Sequence, residues 1–183
     1  MKPLDVIYID NHLLVVRKPA GLLIQGDATG DPTLLEYGKA YLKERFDKPG
    51  NVFLGMVHRI DRPVSGVVVF ARTSKAASRL VNQFSSREVE KKYWAIVQGK
   101  IVASGWMEDK ILRHGPTSHV TKGQGGQKAE LFFRRLGVQD DMSWVEIDLH
   151  TGRHHQIRVQ FAHRGHTLIG DFRYGSKRKF PEK

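Results

Sequence analysis

Apolar and polar residues alternate in short runs along much of the chain, a pattern that predicts several strands and a few helices. The runs "VIYID" and "LLVVRK" flank Asp10 and Asn11, both turn formers, and predict a strand pair or one strand with a tight bend. "KPAG" then breaks the alternation. Asp31 is placed to cap a helix with Pro32 at its first position. Leu34, Leu35, Gly38, Tyr41 and Leu42 follow at helical spacing, and the helix should end near Phe46. "GVVVFAR" predicts a buried strand. The segment from Ser74 to Arg87 predicts an amphipathic helix carrying Ala76, Ala77, Leu80, Val81 and Phe84 on one face. "HRIDRPVSG", His58 to Gly66, is therefore a loop that enters a strand and then a helix. Pro63 supports this, because it disfavours helical dihedrals at Arg62.

In the second half, "YWAIVQGKI" and "AELFFRRL" predict strands. "SWVEIDLH" sets Val145, Ile147 and Leu149 against Trp144, Glu146 and Asp148, the alternation of a strand with one buried face. Between Arg113 and Lys128 the chain reads "RHGPTSHVTKGQGGQK", polar, basic and glycine-rich, which predicts a mobile loop. His154 to Arg164 reads as a helix with Ile157 and Phe161 inward and Gly165 as its C-terminal cap. The final "SKRKFPEK" reads as a basic tail without structure of its own.

Composition narrows the picture. A chain of 183 residues with 40% hydrophobic and 27% charged side chains is expected to fold as one domain with a real core. Its 30 Lys+Arg against 19 Asp+Glu give a net charge of +11, the footprint of a polyanion partner, with nucleic acid foremost. Charge alone does not separate this from a merely basic surface, the lesser reading. The chain has no cysteine, which excludes disulfides, thiolate nucleophiles, zinc ribbons and iron–sulfur clusters. Asp10, Asn11, His12, Arg17 and Lys18 interrupt the apolar N-terminal runs, so the segment reads as neither a signal peptide nor a membrane span. A cytoplasmic protein with no membrane partner is the resulting expectation.

The candidate chemistry begins at "HRIDRPVSG", which crowds Asp61 with Arg59, Arg62 and His58. Such an acid is either one end of a structural ion pair or a carboxylate kept ionised for chemistry. Other polar clusters lie at Arg17 to Gly21, Lys91 to Gly99 and Thr151 to Arg158. His150, His154, His155, His163 and His166 invite a metal reading. "HHQIR", however, lacks the second-turn histidine and the glutamate of a zinc-protease helix, and RNA contact or loop packing accounts for these residues without a metal.

Taken in order, "KPAG", "HRIDRPVSG", "KYWAIVQG" and "TGRHHQIRVQFAHRGHTLIGDFRYG" resemble the sequence blocks of the RluA family of RNA pseudouridine synthases, over about Val6 to Gly175. The resemblance implies an α+β fold around a mixed, mainly antiparallel sheet. It also implies a cofactor-free isomerase, with no metal, that converts uridine to pseudouridine in ribosomal or transfer RNA. Asp61 matches the catalytic aspartate, acting either as nucleophile at C1′ or as base toward the proton on C2′. Arg158 matches the arginine partnered with that aspartate. Tyr93 matches the tyrosine that stacks on the uracil and is a candidate base for the C5 proton. Arg59 matches the side chain that fills the space left by the extracted nucleotide. Lys18, Lys92 and Arg153 are candidate phosphate contacts, and His58 is a candidate for holding substrate or orienting the Asp61 loop.

Ile60 and Val64 stand where relatives commonly have Leu and Thr. The resemblance starts near the N-terminus, so the expectation is a catalytic domain without the small N-terminal RNA-binding domain of many relatives, ending at Lys183 as a compact variant or a truncated one. The expected species is a monomer with no obligatory protein partner. The rival reading is a non-catalytic RNA-binding module on the same scaffold, against which the joint presence of Asp61, Tyr93 and Arg158 weighs.

Overall fold

The computed structural model describes residues 4–180, and the protein is α+β with antiparallel sheets. The chain divides into two compact units, Met1–Glu88 and Val89–Lys183.

The first unit is a four-stranded antiparallel sheet in the order β1-β2-β4-β3, from β1 (Val6–Ile9), β2 (Leu13–Lys18), β3 (Gly55–Met56) and β4 (Gly66–Ala71). The turn between β1 and β2 forms because Asp10 Oδ1 accepts the backbone N–H groups of His12 and Leu13, at 2.7 and 2.6 Å. Helix α1 (Leu34–Arg45) begins two residues later than expected. Its N-cap is Thr33, which shares a full capping box with Glu36, while Asp31 pairs with Arg62 at 2.7 Å instead. Helix α2 (Ser74–Ser85) is capped by Thr73 and lays Ala76, Ala77, Leu80 and Phe84 half-buried. Val81, expected on that face, is exposed. Leu14, Val16, Leu34, Leu42, Leu54, Val68 and Phe70 form the core. Alternation in β2 sends Leu14, Val16 and Lys18 to one face, and all three are buried.

The second unit is a five-stranded antiparallel sheet in the order β5-β9-β8-β6-β7. Its strands are β5 (Lys92–Gln98), β6 (Ser104–His114), β7 (Thr117–Thr121), β8 (Gln127–Gln139) and β9 (Met142–Leu149). The segment expected to be a mobile loop is instead mostly sheet. His114 and Thr117 pair across a turn at Gly115 and Pro116, and β7 adds to the edge of β6. Its β-branched residues Thr117, Val120 and Thr121 favour the extended state, and Ser118 is buried by the alternation, so polarity alone misjudged the segment.

Helix α3 (Gln156–His163) follows β9, entered through His155 in a left-handed conformation (φ 55°), and Phe161 is fully buried in the core with Val97, Leu131, Val145 and Ile147. Part of the tail is ordered after all: Ser176 is buried and its hydroxyl accepts the Gly170 N–H at 3.2 Å. Residues 181–183 of that tail lie outside the described residues.

On the face of this sheet opposite the core stand Trp94, Trp106 and Trp144, 68%, 57% and 45% exposed, which are all the tryptophans of the chain. Trp94 meets Trp144 edge to face at 5.6 Å, and its indole N–H donates to Glu146 at 3.2 Å. That bond and the Arg134 pair hold the Glu146 carboxyl below its usual range.

Candidate active site

In the first unit the Asp61 loop is held mainly through Arg62. The Arg62 carbonyl accepts the Gly21 N–H at 2.8 Å and the Lys18 ammonium at 3.0 Å. Its side chain donates from Nε to the Gly21 carbonyl at 3.0 Å and pairs with Asp31. "KPAG" and "HRIDRPVSG" are thus laced together at one residue. Directly beside it, the Asp61 carbonyl accepts the Val64 N–H at 3.0 Å, closing a turn over Arg62 and Pro63. Ile60 packs into the core, Arg59 is exposed and Asp61 is half-buried. An apolar anchor on one side and a tethered carbonyl on the other leave the aspartate little freedom.

Lys18 corrects an expectation. It was read as a phosphate contact, yet its side chain is fully buried and its ammonium donates to the carbonyls of Leu22, Pro19 and Arg62 at 2.8, 3.0 and 3.0 Å. All three N–H bonds of the ammonium are therefore engaged internally. Burial pushes the ammonium down to about 8, opposed by the negative charge of Asp61. Because the folded value lies below that of an exposed lysine, the penalty is fully present below about pH 8. It is relieved as pH rises from there toward 10.5. The wild-type chain is accordingly expected to gain stability over Lys18→Met between pH 8 and 10, read from urea midpoints; a difference that stays flat would contradict the shifted lysine.

The His58 side chain is engaged within the first unit. Its Nε2 accepts the Val69 N–H at 2.9 Å, and its ring stacks on Phe84 with centroids 4.9 Å apart. The loop is thereby tied to β4 and α2.

In the second unit, β5 carries Tyr93 half-buried on the core face, packed with Val97 and Ile147. Lys92 leaves the strand on the opposite face and donates to Asp148 at 2.8 Å, a bond that raises its affinity for the proton. Sequence reading grouped Lys92 with Tyr93 at one substrate; strand alternation sends the two apart. Arg153 uses its Nε on the Lys128 carbonyl at 2.9 Å, and its backbone N–H reaches Gln156 Oε1 at 3.0 Å. Gln156, in turn, accepts the buried Thr151 hydroxyl at 2.7 Å, so "TGRHHQ" is a self-bonded helix entry.

Arg158 is the most tightly held of the predicted residues. Its Nε and Nη2 donate to the two carboxylate oxygens of Asp171 at 2.7 and 2.8 Å, and the two side chains are only 11% and 9% exposed. Tyr174 lies against the guanidinium at 5.0 Å. Sequence reading overlooked both partners, although they stand in "GDFRYG". Among the described residues, no group of three or more His, Cys, Asp or Glu could hold a metal ion.

Fold and loops together define a class: basic α+β proteins of antiparallel sheets that present one aspartate on a doubly tethered loop and lock one arginine in a carboxylate fork. The chain belongs to the RNA pseudouridylate synthase family, whose model matches residues 12–163. It is 35% identical over 182 residues to the ribosomal large subunit pseudouridine synthase D of Yersinia pestis, and 38% identical over 183 residues to that of Xylella fastidiosa. Each alignment covers 98% of this chain but only 55% and 54% of the relative, so the chain spans about half the length of these curated relatives.

Among solved structures, human RNA pseudouridylate synthase domain containing 4 shares the fold, with a TM-score of 0.81 at 23% identity, over 98% of this chain and 72% of that one. Human RNA pseudouridylate synthase domain containing 1 gives 0.77 at 27% identity, over 95% and 70%.

Proposed function

We propose that the protein is an RNA pseudouridine synthase that uses Asp61 as its catalytic carboxylate. The observation that carries this reading is the lacing of the Asp61 loop, in which Lys18, Gly21 and Val64 fix the carbonyls of Asp61 and Arg62 while Ile60 anchors the preceding residue in the core. A carboxylate so placed is pre-positioned, and reactions that require attack or proton removal at one atom of a sugar reward that. In the reaction the C1′–N1 bond of uridine breaks, the base turns, and a C1′–C5 bond forms. The C5 proton leaves and N1 is protonated, so atoms and charge balance without an oxidant or cofactor.

Asp61 acts on the sugar, as nucleophile at C1′ or as base at C2′. Arg158 supplies the guanidinium that favours an ionised carboxylate, Tyr93 stacks on the uracil and takes the C5 proton, and Arg59 fills the place of the extracted nucleotide. Large-subunit ribosomal RNA is the first substrate to test, because the curated relatives are named for it. This reading places the enzyme with that RNA in the cytoplasm.

The test is tritium release from [5-³H]uridine in unmodified large-subunit ribosomal RNA and transfer RNA transcripts. Release into water supports the isomerase. Tight RNA binding without release from any transcript would favour a binding module. Binding itself should weaken by about a hundredfold between 50 and 200 mM salt if about four phosphates are neutralised. A salt-independent affinity would show that the +11 charge does not engage a phosphate backbone.

A further inference from the structure

We infer that Asp171 is a positioning residue for Arg158, holding its guanidinium in one plane and one orientation; the inference rests on the proposal that Arg158 acts in the isomerisation. An arginine carries five N–H donors in a planar fork. Asp171 takes one from Nε and one from Nη2, the side-on edge, at 2.7 and 2.8 Å. Two parallel bonds fix the rotation of the plane as a single bond cannot. The Nη1 edge lies outside this clamp.

The turn that carries Asp171 is built to hold it still. Gly170 and Gly175 bracket the turn with φ of +81° and +94°, values that side chains strongly disfavour. Between them, the Asp171 carbonyl accepts the N–H groups of Tyr174 and Ser176, each at 3.1 Å. The guanidinium carbon in turn lies over the Tyr174 ring, 5.0 Å from its centroid. The Tyr174 hydroxyl accepts the Ser118 N–H at 2.9 Å and bonds His155 Nδ1 at 2.8 Å, so β7, α3 and the turn Phe172–Tyr174 converge on one ring. Arg158 is thus held along one edge by Asp171 and set against the ring of Tyr174, by residues that need not touch RNA.

The test uses Asp171→Glu, which keeps the charge and lengthens the arm, together with Arg158→Lys and the double variant. Single-turnover tritium release, RNA affinity and thermal midpoint are measured for each. Asp171→Glu is expected to fold and to bind RNA within about twofold of the parent, yet to react about a hundredfold more slowly, the scale of a displacement near 1 Å. In the Arg158→Lys background the same change should cost nothing further, because the group it positions is gone. A parental rate in Asp171→Glu while Arg158→Lys is impaired overturns the inference alone. So does an undiminished further loss in the double variant, which would mark Asp171 as acting through the fold. A parental rate in Arg158→Lys removes the catalytic reading of Arg158, and the inference falls with it.

Discussion

Asp61→Ala is expected to abolish tritium release while leaving the protein folded and able to bind RNA. The fold should survive because the loop is tied by backbone groups that alanine keeps: the Asp61 carbonyl still accepts from Val64, and the Arg62 carbonyl still receives Lys18 and Gly21. One side effect has a definite sign. The Asp61 charge opposes the desolvation of Lys18, so its removal should push that ammonium lower still and cost some stability at neutral pH.

The size of the rate loss speaks to mechanism. Loss of a general base costs about 10²–10⁴-fold, whereas loss of a nucleophile reaches about 10⁶-fold. Single-turnover release by Asp61→Ala and Asp61→Asn therefore tests the residue and distinguishes its two roles. Substantial turnover by either variant would take Asp61 out of the reaction.

Arg158→Ala should cause the largest loss of stability, about 3–5 kcal/mol, because it leaves the Asp171 carboxylate buried without its fork. The pair itself need not be a large net source of stability. Replacing both side chains together, as Arg158→Met with Asp171→Leu, should cost far less than either truncation alone. Urea denaturation of the two single variants and the double variant measures this directly. A single truncation within about 1 kcal/mol of the parent would mean that water or another group readily takes the missing partner's place.

Local patterns were legible wherever one force acted alone. The β1–β2 pair followed from alternation broken at Asp10 and Asn11, and β4, β9 and α3 followed from their apolar spacing. The N-terminus of α1 was misplaced because two cap signals compete within three residues. Thr33 prevails since Glu36 completes a reciprocal box, and Asp31 is drawn to Arg62. The β6–β7 hairpin was missed because polar side chains on an edge strand resemble a loop when only hydrophobicity is weighed. Burial of Lys18 was readable: it continues the inward parity of Leu14 and Val16, and a charge at such a position must find acceptors. The Arg158–Asp171 fork left no comparable trace, since the two residues are joined by a turn whose shape, not spacing, brings them together.

The tryptophan face of the second sheet makes the protein optically asymmetric. Every indole belongs to Val89–Lys183, and Met1–Glu88 contains none. Intrinsic fluorescence therefore watches one unit, while the far-ultraviolet circular dichroism of helices α1 and α2 weights the other. Coincident denaturation curves from the two signals would show that the unit bearing Asp61 and the unit bearing Arg158 melt as one cooperative body, and separated curves that each melts on its own.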